Sequence, residues 1–255
     1  DSNKGTYGRT LIIAGSKNMG GAAILSASAA YRSGTGLVKV LTHEINKTAL
    51  LCRMPECLIS TYQDNMPLAA ELKADFEWAK CIAVAAAEIT RCVLERDDKV
   101  RILDADALNI IAGEHIDYKG SREGQIIITP HIMEMSRLTG KTVADIKEHM
   151  IESAKEYAIQ HSCICILKDA RTVVTDGQKV YINCTGNDGM STGGCGDVLT
   201  GLIAGMTAMG LDAFEAACLS VYVHGKAGDY AASGKGRAGM TAADISEAIA
   251  YVLKR

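Results

Sequence analysis

TLIIAGSKNMGGAAILSASAAYRSGTGLVKVLT, residues 10–42, carries three patterns in one run. TLIIAG (10–15) is a short β-rich segment ending in glycine. MGGAAILSASAAYRSG (19–34) is alanine-rich with helical spacing and closes on Gly34, and LVKVLT (37–42) is β-rich again. Strand, helix, strand in that order is the unit of an α/β fold. The same alternation continues outward. Strands are predicted at 81–85, 100–106, 125–130, 163–169, 172–177 and 179–183, and helices at 66–80, 88–96, 142–161, 196–209, 212–232 and 241–254. The pattern predicts a mostly parallel central sheet with helices on both faces. TVVTDGQKVYIN (172–183) departs from it and reads as a hairpin turning at Asp176-Gly177. No repeat or low-complexity linker interrupts the chain, so one domain over residues 1–255 is expected.

Composition narrows the function classes. A formal net charge of −3 offers no electrostatic basis for binding nucleic acid or an anionic membrane. No apolar run reaches the roughly 18–20 residues of a membrane helix, and DSNKGTYGRT (1–10) lacks a signal-peptide core. The nine cysteines are odd in number and form no C-x-x-C pair, which favours reduced thiols. A cytoplasmic location is expected.

Ligands of open α/β sheets bind beyond the carboxyl ends of the strands, so polar residues just after strands carry most weight. The densest stretch is TGNDGMSTGGCGDVLTGLIAGMTAMG (185–210), where glycines precede and enter a helix. A glycine inside an element costs about 0.5–1 kcal/mol relative to alanine, so close approach of another group is expected there. Gly193, Gly194 and Gly196 suit a cradle of backbone N–H groups for a phosphate, at the positive end of the helix dipole. Asp197 follows in the first turn, where an ionised carboxylate can take a proton from a hydroxyl attacking that phosphate; the alternative is an Asp that only caps the helix. Cys195 reads as a small filler. No Walker sequence is present, and GKGRAG (234–239), which follows a helix, is not a dinucleotide loop.

Four other stretches could bear on a ligand. In LDADALN (103–109), Asp104 and Asp106 are expected on one face of a strand end, with Asn109 three residues on. They could orient a substrate or hold Mg²⁺ through water, while Asp106 could equally cap the next helix. In TPHIMEMSRL (129–138), His131 and Glu134 reach the carboxyl edge at i, i+3 spacing, without the H-E-x-x-H of a zinc site. In LKDART (167–172), Lys168 either meets a phosphate as a point charge or is a solvated lysine. IAGSKNMGGAAILSA (13–27) is either a backbone N–H site or a tight turn before a small-residue helix. His224 in VYVHGKAGD (221–229) reads as a satisfied core histidine.

Taken in order, KGTYGR, IAGSKNMGGAAILSA, YRSGTGLVKV, LDADALN, TPHIMEMSRLTG, LKDARTVV, TGNDGMSTGGCGDVLTGLIAGM and VYVHGKAGD resemble the ADP/ATP-dependent NAD(P)H-hydrate dehydratases of the ribokinase-like superfamily. The resemblance spans nearly the whole chain from Lys4. It implies a ribokinase-like three-layer α/β/α fold and a lyase of metabolite repair, which dehydrates hydrated NADH and NADPH at the expense of a nucleotide phosphoryl group. ADP is the expected donor, ATP the variant, with Mg²⁺. By the same resemblance Asp197 is the base that activates the ring hydroxyl, and Gly194 and Gly196 take part in catalysis. Ala22 or Ala23, His131, Asp104, Asn109 and Asp197 contact the hydrate. Lys168, Asp169, Ala170, Arg171 and Thr172, matching K-G-x-x-T, bind the nucleotide with Gly193 and Gly196.

Three features depart from the family pattern. IAVAAAEITRC (82–92) stands where a G-P-G-L-G-like loop is usual, and the segment from Ala85 to Asp104 is short. Asp169 replaces a glycine, and so does Met133. A vitamin-precursor kinase of the same superfamily, or a nucleotide sensor without turnover, are the alternative readings. The alanine-rich and C-terminal helices present apolar surface that a homo-oligomer would bury.

Overall fold

The computed structural model describes residues 2–64, 68–122 and 124–254. Its elements follow the alternation closely. From the amino terminus they are β1 (Arg9–Ile13), α1 (Gly20–Arg32), β2 (Leu37–His43), α2 (Lys47–Arg53), β3 (Leu58–Tyr62), α3 (Leu68–Trp78), β4 (Cys81–Val84), α4 (Ala87–Leu94), β5 (Val100–Leu103) and α5 (Asp106–Gly113). Then come β6 (Ile126–Ile128), α6 (Ile132–Thr139), α7 (Val143–Glu148), α8 (Met150–His161), β7 (Ile164–Leu167), β8 (Val173–Thr175), β9 (Val180–Ile182), α9 (Cys195–Ala208), α10 (Ala213–Lys235) and α11 (Ala242–Val252).

Among the described residues the strands form one nine-stranded sheet in the order β3-β2-β1-β4-β5-β6-β7-β8-β9. β1 to β7 pair in parallel, and β8 and β9 antiparallel. Helices cover both faces, and the period of two along each strand assigns the side chains. Leu11, Ile13, Ile82, Val84, Ile126, Ile128, Cys165 and Leu167 pack against α3 to α8. On the other face, Cys81, Ala83, Ile102, Ile127, Ile164 and Ile166 meet α9 and α10, and Ile12, Ala14, Val38 and Val40 meet α1 and α2. Burial on both faces is why the strands read as continuous apolar runs. This is the expected three-layer α/β/α arrangement.

α1 and α9 lie together in the layer bearing the glycine-rich stretch. A Cβ on Gly201 would fall 2.0 Å from the Ser26 carbonyl oxygen, and one on Gly205 would fall 2.1 Å from Ser33 Oγ. Those two glycines therefore serve helix packing, not anion binding.

Several boundaries differ from expectation. The strand expected over 100–106 ends at Leu103. Ala105 adopts φ 48°, and α5 starts at Asp106, so Asp104 and Asp106 do not share a strand face. The helix expected over 142–161 is two helices, broken at His149 (φ −125°, ψ 49°). The helix expected over 66–80 runs from Leu68 to Trp78, with positions 66 and 67 outside the described residues. α2, β3, α5 and α6 add to the predicted set. The hairpin is present: Asp176 Oδ1 accepts the amides of Gln178 and Lys179, and Gly177 takes φ +96°. All nine cysteines are unpaired, and no described helix is long and apolar enough to cross a membrane.

Candidate active site

Parallel strands end at one edge of the sheet, and the candidate residues gather there. Gly194, the residue before α9, takes φ +91°; a Cβ there would also lie 2.4 Å from Leu25 Cδ1. The positive φ is what calls for glycine at the turn into the helix, since the Leu25 side chain can shift. Beside it, no atom lies within 4 Å of where a Gly193 Cβ would sit, so that backbone is open. The Val198 amide bonds back to the Gly194 carbonyl, which leaves the preceding amides of Gly196 and Asp197 as free first-turn donors. Ser26 Oγ on α1 donates to the Asp197 carbonyl at 3.0 Å and ties the turn to the neighbouring helix.

Asp104, at the end of β5, is buried and fully engaged. Its Oδ1 accepts Lys168 Nζ at 3.0 Å and its Oδ2 accepts Thr200 Oγ1 at 2.7 Å. Burial alone would raise its pKa, but Lys168 and the Thr200 hydroxyl outweigh burial and hold it below the usual carboxylate value. Lys168 follows β7, and its amide bonds the Pro130 carbonyl at 2.8 Å, so β6 and β7 together aim the ammonium. A Cβ on Gly196 would sit 3.6 Å from Lys168 Nζ, which puts the cradle backbone beside that charge. Asp197 is part-buried, and burial, reinforced by the Asp104 charge and opposed by Lys168, pushes its pKa up to about 6. The structure thus brings Asp104, Lys168, Gly196 and Asp197 together.

His131 caps α6 in a reciprocal box. Its Nδ1 accepts the Glu134 amide at 3.1 Å, and its own amide donates to Glu134 Oε2 at 2.8 Å. A backbone bridge pairs His131 with Lys168, placing the ring, 49% exposed, at the edge of the cluster. Burial raises the Glu134 pKa, with Lys168 opposing. The loop from Lys168 to Thr172 joins β7 to β8; Asp169, Ala170 and Arg171 are exposed. Ala22 is part-exposed, whereas Ala23 is fully buried against β1 and offers no surface to a ligand.

Other expectations need correction. Asp106 is exposed and is the first residue of α5, with no capping side-chain bond at the helix start. Asn109 accepts Arg137 at 2.8 Å instead of joining Asp104. Among the described residues, no group of three or more His, Cys, Asp or Glu could hold a metal ion by itself. His224 is buried, and burial pushes its pKa down to about 4. It is the expected core histidine, hydrogen-bonded to the Cys195 backbone but with Nε2 left unpartnered among the described residues. Burial raises the Cys195 thiol, as suits a filler. β4 passes into α4 through Ala85 and Ala86 alone, so no glycine loop stands there. Met133 and Asp169 are exposed. Thr200 joins the site beyond the residues the sequence marks; it lies one turn from Asp197 on the same helix, and the period of α9 is the signal that points to it.

A parallel sheet with an antiparallel hairpin at one edge, and a glycine-rich helix start at its carboxyl end, defines a ribokinase-like α/β protein. The sequence pattern of the NAD(P)H-hydrate dehydratases matches residues 10–251, and the chain belongs to that family. The bifunctional NAD(P)H-hydrate repair enzyme of Moorella thermoacetica is 37% identical over 271 residues, covering 99% of this chain and 50% of that protein. The ADP-dependent (S)-NAD(P)H-hydrate dehydratase of Neisseria meningitidis is 32% identical over 265 residues, covering 100% and 88%. Among solved structures, the ADP/ATP-dependent NAD(P)H-hydrate dehydratase of Bacillus subtilis, co-crystallised with ATP/Mg²⁺, superposes with a TM-score of 0.88 at 32% identity. That match covers 100% of this chain and 92% of the other. The chain spans about half the length of the bifunctional relatives it matches.

Proposed function

We propose that this chain is an ADP-dependent (S)-NAD(P)H-hydrate dehydratase, acting through one ribokinase-like domain. The observation that carries the reading is Asp197: a part-buried carboxylate with a pKa near 6, in the first turn of α9, directly after an open glycine backbone. A base poised near neutrality is the requirement for taking a proton from an attacking hydroxyl. The names of the Neisseria and Bacillus relatives supply the substrate and the donor nucleotides.

In this reading the terminal phosphoryl group of ADP lies against the open backbone of Gly193 and the free amides of Gly196 and Asp197, with Lys168 as its point charge. Asp197 takes the proton of the ring hydroxyl as that oxygen bonds the terminal phosphorus. The bond from this phosphorus to AMP breaks, and its electron pair leaves with AMP. Phosphate then departs from the ring carbon, the neighbouring carbon loses a proton, and the double bond of the dihydronicotinamide re-forms. The 169–172 loop contacts the nucleotide, and Ala22 and His131 contact the hydrate. Asp104 has both oxygens engaged by Lys168 and Thr200, which leaves Asp197 as the carboxylate that would hold, through water, a Mg²⁺ carried by the nucleotide; that ion would neutralise charge on the phosphates.

Incubating the protein with NADH hydrate and ADP, then ATP, tests the reading. Recovery of dihydronicotinamide absorbance with equimolar free phosphate is expected. A stable phosphorylated product would instead make the chain a small-molecule kinase, and nucleotide binding without product would make it a sensor.

A further inference from the structure

The stretch VYVHGKAGD lies on α10, and one face of it is the bed of the loop that leads into the cradle. A Cβ on Gly225 would fall 2.2 Å from Thr185 Oγ1, and one on Gly228 would fall 2.3 Å from Met190 Sδ. At Gly225 the Thr185 backbone lies 2.7 Å from that Cβ position, so loop and helix meet there at a separation that glycine permits, while at Gly228 the Met190 side chain fills the space. Thr185 Oγ1 donates to the Tyr222 carbonyl at 3.0 Å. About two turns beyond Tyr222, Asp229 closes the contact: Oδ2 accepts the Gly186 amide and Oδ1 accepts Asn187 Nδ2, both at 3.1 Å. Asn187 Oδ1 in turn accepts the Gly189 amide at 3.1 Å, starting the 3-10 turn Asp188–Met190. On its far side this turn is held by residues 237–240, since a Gly189 Cβ would lie 2.4 Å from the Arg237 carbonyl. Ser191 and Thr192 alone separate it from Gly193. The buried His224 belongs to the same stretch and neighbours the Cys195 backbone in the first turn of α9.

We propose that Asp229 is a positioning residue: by fixing Gly186 and Asn187 on α10 it sets the backbone amides of Gly193 to Asp197 for phosphoryl transfer. This rests on the reading that the cradle holds a phosphoryl group. Donors that stabilise a transition state do so because they are fixed before the reaction, and a loop this rich in glycine does not fix itself. Asp229 touches none of the nucleotide-contacting residues 168–172, which stand on the β7–β8 hairpin. The cradle also meets the phosphoryl group in bound ADP, but its fixed donors act most on the transition state, so the loss is read chiefly in kcat with a smaller rise in the KM for ADP.

The test uses the full chain carrying Asp229→Ala, Asp229→Asn, Asn187→Asp, and the last two combined. Asp229→Ala is expected to lower kcat on the order of ten- to a hundredfold, the scale of a misplaced reacting group. The KM for ADP stays within about threefold in the same variant, and hydrogen exchange over residues 185–197 quickens. The double variant exchanges carboxylate for amide across one contact; it is expected to recover kcat to within about threefold of wild type, while each single variant does not. Unchanged kcat and exchange in Asp229→Ala, or a double variant no better than the singles, overturns the proposal. If Asp229→Ala does not fold, the cycle of the three conservative variants decides alone. If the wild-type protein converts no hydrate, the dehydratase reading fails, and exchange over 185–197 still decides whether Asp229 orders the cradle.

Discussion

At the amino end of the sheet, Tyr118 and Tyr157 share a hydrogen bond of 3.0 Å between their hydroxyls, and His161 stacks on both rings at 4.8 and 4.3 Å. His161 Nδ1 is 3.0 Å from the Tyr118 carbonyl, and Cys163 and Cys165 are buried alongside. Burial drives the pKa values of these tyrosines and thiols well above their usual range. At the carboxyl end, burial acts on Asp197 more gently and leaves it near 6, with Lys168 and the open backbone of Gly193 at hand. Depth of burial is thus the weaker indicator of chemistry. At one end the shift removes groups from proton exchange altogether. At the other it brings one into the range where transfer at neutral pH is possible, in a place that a substrate can reach.

The largest test of that contrast is Asp197→Asn. Turnover is expected to fall roughly 10²- to 10⁴-fold, as for loss of a general base, with ADP affinity nearly unchanged by calorimetry. In wild type, kcat/KM falls as pH drops through about 6, where Asp197 protonates. Stability runs the other way. The folded pKa lies above the usual 3.8, so the native state binds the proton more tightly than the unfolded chain and loses stability as pH rises from about 3.8 to about 6. The Asn variant escapes that loss and is more stable to unfolding at pH 7, by on the order of 1–3 kcal/mol. A variant that is both active and no more stable removes Asp197 from its assigned place.

Lys168→Met leaves the buried Asp104 carboxyl without the cation that offsets its burial. Breaking such a pair costs about 3–5 kcal/mol at neutral pH, measurable by urea unfolding. The folded pKa of Asp104 is depressed, so its contribution is present above its unfolded pKa and is lost as pH falls through the folded one. The gap between variant and wild type therefore narrows in acid. Lys168 also holds Asp197 down, so any residual activity has its acid limb at higher pH than wild type. A smaller effect belongs to Thr200→Val, which removes the 2.7 Å hydrogen bond to Asp104 Oδ2. A hydrogen bond to a charged group contributes about 1.5–3 kcal/mol, and the loss is expected in denaturation at pH 7 with the Lys168 pair intact.

Local pattern made much of this legible. The strand, helix and strand of residues 10–42, the Asp176-Gly177 turn and the glycine stretch ahead of Asp197 all speak within one window. Other parts lie beyond that reach. α6 starts on His131, an unusual cap whose partner Glu134 matters only once the helix exists. β3 (LISTY) is an edge strand, its first four residues part-exposed or exposed, without the apolar run of its neighbours. Asp104 and Asp106 promised one face by spacing, but the turn at Ala105 sends them apart. Asp104 then meets Thr200 and Lys168, and Asp229 meets Gly186, across separations that no periodicity records. The site was legible as separate fragments because each strand end reads locally. Their convergence is a property of the sheet.

The smallest prediction sharpens the comparison from the quiet end. Tyr118→Phe keeps the ring and its stack on His161 while deleting one hydroxyl of the pair. The loss is a neutral hydrogen bond, worth about 0.5–1.5 kcal/mol, partly offset because no acceptor is needed for the removed O–H. Tyr157 retains its own hydroxyl, now without that partner, which keeps the net effect destabilising. Hydrate turnover at saturating ADP is expected to match wild type at every pH tested. Were kcat or its acid limb to move with Tyr118→Phe, the amino-end stack would be coupled to Asp197 through the sheet, and the two ends would not be independent. Equal kinetics with a lower unfolding midpoint keep them separate: one end holds titratable groups for packing, the other for proton transfer.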